Sequence, residues 1–191
     1  MRYCVFCGSR SGARTAYTAV AEELGRLLAH SGIGLVYGGA SVGLMGAVAN
    51  AALAAGGEVI GVIPRDLVRR EVAHNSLGDL RVVDTMHQRK ALMAELSDGF
   101  IAMPGGVGTL DETFEIWTWA QLGHHSKPCA LLNVEGYYDK LNGFLDSIVE
   151  EGFLRSEHRA GLICQPTAQK VLEAMQAYRP TPALSKWQGR E

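Results

Sequence analysis

Gly99-Phe100-Ile101-Ala102-Met103-Pro104-Gly105-Gly106-Val107-Gly108-Thr109-Leu110-Asp111-Glu112 runs from a short apolar stretch, through a glycine turn, into an amphipathic segment. That order reads as a buried strand, a tight turn and the start of a helix. The same junction occurs twice more. Cys7-Gly8-Ser9-Arg10-Ser11-Gly12 follows the apolar run at 2–7, and Tyr37-Gly38-Gly39-Ala40-Ser41-Val42-Gly43-Leu44-Met45-Gly46 follows the run at 33–37. Outward from these junctions, residues 58–63, 80–84 and 128–134 also read as strands. Helices are expected over 14–30, 43–55, 86–96, 110–122 and 137–151. Most of the strand runs are apolar throughout, as strands covered on both faces must be. In the first helix Ala16, Val20, Leu24, Leu27 and Leu28 share one stripe, which faces a core.

Residues 161–164 read as a last short strand and 167–178 as a closing helix. Strand–helix alternation at this spacing predicts right-handed crossovers and a mainly parallel sheet with helices on both faces. The expected fold is therefore α/β and Rossmann-like, doubly wound, in a single domain over 1–178 with a loose tail at 179–191. Residues 64–79 form the longest connection without clear periodicity, a length that usually implies function or some helix.

Composition narrows the class of function. The 191 residues carry 18 Lys plus Arg against 20 Asp plus Glu, a formal net charge of −2. That balance argues against a nucleic-acid partner, which calls for a basic excess. No apolar run approaches the roughly 18–20 residues of a membrane span, and the first residues lack the apolar region of a signal peptide. Four cysteines, Cys4, Cys7, Cys129 and Cys164, are too few and too scattered for a disulfide framework. Cys4 and Cys7 spell C-x-x-C inside a strand, where residues three apart point to opposite faces. They read as buried small hydrophobes in a cytoplasmic protein, with no metal and no cofactor expected.

In a parallel sheet the carboxyl ends of the strands share one edge, so the three glycine loops line one rim, where ligands of such folds bind. Glycine lets backbone approach a phosphate, and the next helix offers free N–H groups and its positive end. A phosphorylated small molecule follows. It is not a dinucleotide: Gly39-x-x-x-Gly43-x-x-Gly46 is not G-x-G-x-x-G, and no acid ends the next strand. No Gly-Lys-Ser/Thr is present for a Walker-type ATPase. Gly8, Ser9, Gly38 and Gly39 are thus candidate ligand contacts.

Two clusters carry charge to this rim. Thr109-x-x-Glu112 points a carboxylate towards anything over the glycine loop, although the same spacing also spells a capping box. Met86-His87-Gln88-Arg89-Lys90 opens a helix with two cations, which oppose the macrodipole unless an anion is near. Arg89 suits a bidentate phosphate or sugar contact and Lys90 a point charge. His74, His124 and His125 fall in loops without an acidic co-ligand, and Trp117 and Trp119 read as core or subunit contact. Ser9 lacks a His/Asp relay for nucleophilic hydrolysis.

Pro104-Gly105-Gly106-x-Gly108-Thr109-x-x-Glu112, with Met86 to Lys90 upstream, resembles the signature of the Lonely Guy family of cytokinin riboside 5′-monophosphate phosphoribohydrolases. Bacterial relatives of that family were often labelled lysine decarboxylases. The similarity runs from Cys4–Ser9 through Tyr37–Gly39, Gly43–Gly46, Thr118–Gly123 and Leu132–Tyr138 to Glu150–Phe153. It implies hydrolysis of the N-glycosidic bond of a nucleoside 5′-monophosphate, either a cytokinin riboside 5′-monophosphate or AMP, releasing free base and ribose 5-phosphate. It also implies a homodimer with active sites near the interface.

By position, the resemblance makes Arg89 and Glu112 the catalytic pair. It makes Glu71, Arg89, Lys90, Gly105, Gly106, Val107, Gly108, Thr109, Leu110, Asp111, Glu112 and Thr118 substrate-binding. Asp111 stands where plant relatives more often have Glu, and Arg69-Arg70-Glu71 keeps the Glu of the usual Pro-Arg-Glu without the Pro. Two other readings stay open: a nucleotide sensor without catalysis, and a pyridoxal-phosphate decarboxylase. The latter needs a Schiff-base lysine, and of five lysines only Lys90 sits near a phosphate loop.

Overall fold

The computed structural model describes residues 1–68, 73–74 and 76–180. Seven strands form one parallel sheet in the order β4-β3-β2-β1-β5-β6-β7. They are β1 (Arg2–Phe6), β2 (Gly34–Tyr37), β3 (Val59–Pro64), β4 (Asp79–Val83), β5 (Gly99–Ala102), β6 (Cys129–Leu132) and β7 (Leu162–Gln165). The chain builds outward from β1 to β4, then returns across the sheet to lay β5 on the other side of β1. In register, Val5 pairs with Ile101 and Phe6 with Ala102. Consecutive connections leave β1 and β5 in opposite directions, so a crevice opens between their carboxyl ends, the switch point at which doubly wound sheets bind ligands.

Helices cover both faces. On one side α1 (Thr15–His30), α2 (Gly43–Ala54) and α8 (Ala168–Ala177) close a core around Leu24, Leu28, Val48 and Val171. On the other, α4 (Met86–Glu95), α5 (Val107–Gln121) and α6 (Asp139–Glu150) pack through Met93, Ile116, Trp117 and Leu145. The stripe read in the first helix holds: Leu24 and Leu28 are buried, and Ala16, Val20 and Leu27 pack against them. Apart from Arg2 at the start of β1 the central strands are buried, while the edge strands β4 and β7 are mostly half-exposed. Cys4 lies in one core and Cys7 in the other, as alternation along a strand requires.

The sequence reading missed two short helices, α3 (Arg65–Val68) and α7 (Ser156–Ala160), and a 3₁₀ turn at Val134–Gly136. Each spans five residues or fewer, too short for a period to register. No helix among the described residues is long and apolar enough to cross a membrane.

Candidate active site

Helix α5 begins three residues earlier than its sequence periodicity predicts. Gly106 is the N-cap in an extended conformation and makes no side-chain cap bond. Thr109 and Glu112 are therefore not a capping box. Glycine tolerates the N-cap position without a side-chain acceptor, so the helix absorbs Val107 and Gly108, and Glu112 falls in its second turn. The capping box forms instead at α4, where Thr85 Oγ1 accepts from the Gln88 N–H and Gln88 Oε1 accepts from the Thr85 N–H. That cap fixes the start of the helix that carries Arg89.

Arg89 and Glu112 meet from these two helices. Arg89 Nη1 donates to Glu112 Oε1 at 2.7 Å, and Arg89 Nε donates to the Val62 carbonyl in β3 at 3.1 Å. Both residues are more than nine-tenths buried. Among the described residues, Glu112 Oε2 takes no hydrogen bond. Burial pushes the Glu112 carboxyl above the usual glutamate range, and the Arg89 charge only partly opposes this. Gly38 makes room for the guanidinium, since a Cβ there would strike Arg89 Nη2 and the Met45 sulfur.

The pair lines a cavity of about 620 Å³ at the switch point, a volume in the range of small-molecule sites. Gly8, Ser9 and Gly38 line it, as do Gly105, Gly106, Val107, Gly108 and Thr109. Four successive N–H groups, those of the Gly106 N-cap and of Val107, Gly108 and Thr109, open α5, where no intrahelical acceptor exists. They form an anion cradle with the helix's positive end behind it.

Other expected contacts lie elsewhere. Gly39 packs on Ile63 and Leu80, and its carbonyl accepts from the His74 N–H. Lys90 is turned onto α5, with Nζ 2.7 Å from Glu115 Oε2, a pair too bent for a hydrogen bond, and 3.2 Å from Asp111 Oδ2. Leu110, Asp111 and Thr118 are also on α5 but outside the cavity lining. Glu71 lies outside the described residues, as do Arg69 and Arg70.

The cavity adds residues that sequence reading left out. Arg10 and Tyr17 line it, Tyr137 closes one side, and Met45, Leu67 and Met93 supply apolar wall. Arg10 was legible as part of the first glycine loop. Tyr137 comes from the turn after β6, and nothing in its local spacing points to the rim.

Residues 45–175 match the family model described as "Possible lysine decarboxylase". Cytokinin riboside 5′-monophosphate phosphoribohydrolase LOG4 of Arabidopsis thaliana is 51% identical over 179 residues, covering 94% of this chain and 83% of that protein. The enzyme LOG of Oryza sativa subsp. japonica is 50% identical over 179 residues, covering 94% and 74%. The chain belongs to the Lonely Guy family of phosphoribohydrolases. Among solved structures, the molybdenum cofactor carrier protein of Chlamydomonas reinhardtii superposes with a TM-score of 0.71 at 20% identity, over 92% of this chain and 96% of that one. The molybdenum cofactor binding protein of Rippkaea orientalis gives 0.69 at 22%, over 92% and 95%. Both share the fold of this chain.

The decarboxylase label implies pyridoxal phosphate, and the residues do not fit it. No lysine among the described residues lines the cavity. Lys90 is held above the ordinary lysine range by Glu115 and Asp111, whereas a Schiff-base lysine must be able to lose its proton.

Proposed function

We propose that this protein hydrolyses the N-glycosidic bond of an adenine-type nucleoside 5′-monophosphate, a cytokinin riboside 5′-monophosphate or AMP, releasing the free base and ribose 5-phosphate. The observation that carries the reading is the buried Arg89–Glu112 pair lining the same cavity as the α5 anion cradle. Cleavage builds positive charge on the ribose, in an oxocarbenium-like transition state. A carboxylate set in a dry wall stabilises that charge strongly, and Glu112 Oε2 is left to face it or to orient the attacking water. Water adds its oxygen to the anomeric carbon and gives up a proton, while the base departs with the glycosidic electron pair and takes up a proton, so that one water is consumed in all.

Arg89 holds Glu112 in place and favours its ionised form against the effect of burial. The 5′-phosphate anchors on the N–H groups of Gly106–Thr109, with Gly8, Ser9 and Gly38 shaping the rest of the rim. Binding energy gathered there, away from the reacting bond, positions the sugar. Lys90 pairs with Asp111 and Glu115 between α4 and α5, and it, Asp111, Leu110 and Thr118 support this site from outside the cavity lining.

A homodimer is part of the proposal. Exposed Leu122, Phe144 and Phe153 offer apolar surface of the kind that subunits cover. A reducing, cytoplasmic location accords with four free thiols, three of which burial holds far from reactive, Cys129 being pushed up to about 12. The test is product analysis by chromatography after incubation with AMP, isopentenyladenosine monophosphate and lysine. Ribose 5-phosphate with free base is expected. Saturable AMP binding without products would leave only a sensor.

A further inference from the structure

The glycine turn at 103–105 has its carbonyl groups tied back one after another. The Tyr138 hydroxyl donates to the Met103 carbonyl at 2.6 Å, the Gly8 N–H donates to the Pro104 carbonyl at 3.1 Å, and the Tyr137 hydroxyl donates to the Gly105 carbonyl. A peptide plane carries its C=O and N–H on opposite edges. Holding the Gly105 oxygen therefore fixes the direction of the Gly106 N–H, the group that opens the cradle. Two of the three restraints come from consecutive tyrosines on an element distant in sequence.

That element is built to hold its position. In the turn after β6, Glu135 sits in the left-handed region at φ 49°, beside Gly136 at φ 73°. A non-glycine residue is disfavoured there and persists only where its surroundings impose it. Here the Asn133 side chain donates to Asp139 and accepts from the Tyr138 N–H, each at 2.7 Å, and Arg14 pairs with Glu135 at 3.0 Å. The Tyr137 ring packs edge-on against Tyr17 and Tyr138. Unlike Tyr138, which is fully buried, Tyr137 is 40% exposed and lines the cavity. Its hydroxyl could bond water with little loss, so its engagement with Gly105 is not forced by burial.

We propose that Tyr137 is a positioning residue that clamps the Gly105–Gly106 peptide, holding the anion cradle in its phosphate-binding orientation. The inference rests on reading this cavity as a nucleotide site. It assigns Tyr137 to the phosphate end alone, so its loss weakens phosphorylated ligands and spares the base.

Titrate wild type and Tyr137→Phe with ribose 5-phosphate and with adenine, and compare their melting temperatures. One hydrogen bond's worth of preorganisation predicts roughly three- to tenfold weaker ribose 5-phosphate binding, unchanged adenine binding and an unchanged melting temperature. Equal weakening of both ligands would mean the hydroxyl supports the cavity as a whole rather than its phosphate end, and no change in either would mean the bond is idle and the ring merely packs; both overturn the clamp, as does a wild type that binds no ribose 5-phosphate. Wild-type turnover of AMP, followed separately, decides the hydrolase reading. A wild type that binds ribose 5-phosphate without turnover removes the reaction and keeps the clamp. Turnover combined with normal ribose 5-phosphate binding by the variant does the reverse.

Discussion

Arg89 and Glu112, 23 positions apart in sequence, are joined by a 2.7 Å hydrogen bond in a buried wall of the switch-point cavity. Each needs the other there. An unpaired charge at this depth is strongly disfavoured, and the Val62 carbonyl alone would not neutralise the guanidinium.

Glu112→Gln keeps the shape and a hydrogen-bond acceptor for Arg89 but removes the negative charge. Turnover of a nucleoside monophosphate is expected to fall by roughly a hundredfold or more, with ribose 5-phosphate binding retained and the circular dichroism spectrum unchanged. Steady-state kinetics beside a titration checks this, and near-normal turnover would remove Glu112 from the reaction.

The pH profile follows from the direction of the Glu112 shift. Its pKa is raised by burial, so the carboxylate is lost at a higher pH than an ordinary glutamate at about 4.3. The acid limb of kcat/KM is expected above that value. Arg89 favours the ionised form, so in Arg89→Met the limb moves further up in pH while the maximum falls. A limb that stays in place or moves down would show that another group titrates.

Lys90 and Glu115 repeat the Arg89–Glu112 link one residue and one helical step away, bridging α4 and α5. Lys90→Met and Glu115→Gln are each expected to lower kcat several-fold with little change in KM, and the double variant to be no worse than either single one. A higher KM in Lys90→Met alone, with Glu115→Gln silent, would instead put the ammonium on the substrate.

Two glycine substitutions separate site from scaffold. A Cβ at Gly38 meets the end of the Arg89 side chain, which can move, so Gly38→Ala is expected to cost activity at least tenfold with a small change in melting temperature. A Cβ at Gly43, at φ 57°, meets the Ser9 and Arg10 backbone, which cannot easily move. Gly43→Ala is expected to destabilise by about 1–3 kcal/mol, read as a lower midpoint in urea.

By itself the sequence determined the alternation of buried strands and amphipathic helices, and with it the glycine loops at the strand ends. These depend on the period of apolar residues and on turn chemistry, both local properties. The family motifs likewise named Arg89 and Glu112. Only the tertiary structure decided which residues share the cavity. Strand order brings β5 beside β1, and with it the loop at 104–109 against Gly8, a neighbour relation that no spacing encodes. The early start of α5 at Val107 put Glu112 in its second turn, where it forms a buried ion pair with Arg89 instead of a cap, because Gly106 needs no side chain to begin a helix. Lys90 stands next to Arg89 in sequence, yet the 100° between successive helical residues turns it onto α5, where Asp111 and Glu115 take its charge. Tyr137 reaches the rim through the left-handed turn at Glu135 and Gly136, a path set by Asn133 and Asp139 on either side of the turn and by Arg14 from far away in the chain.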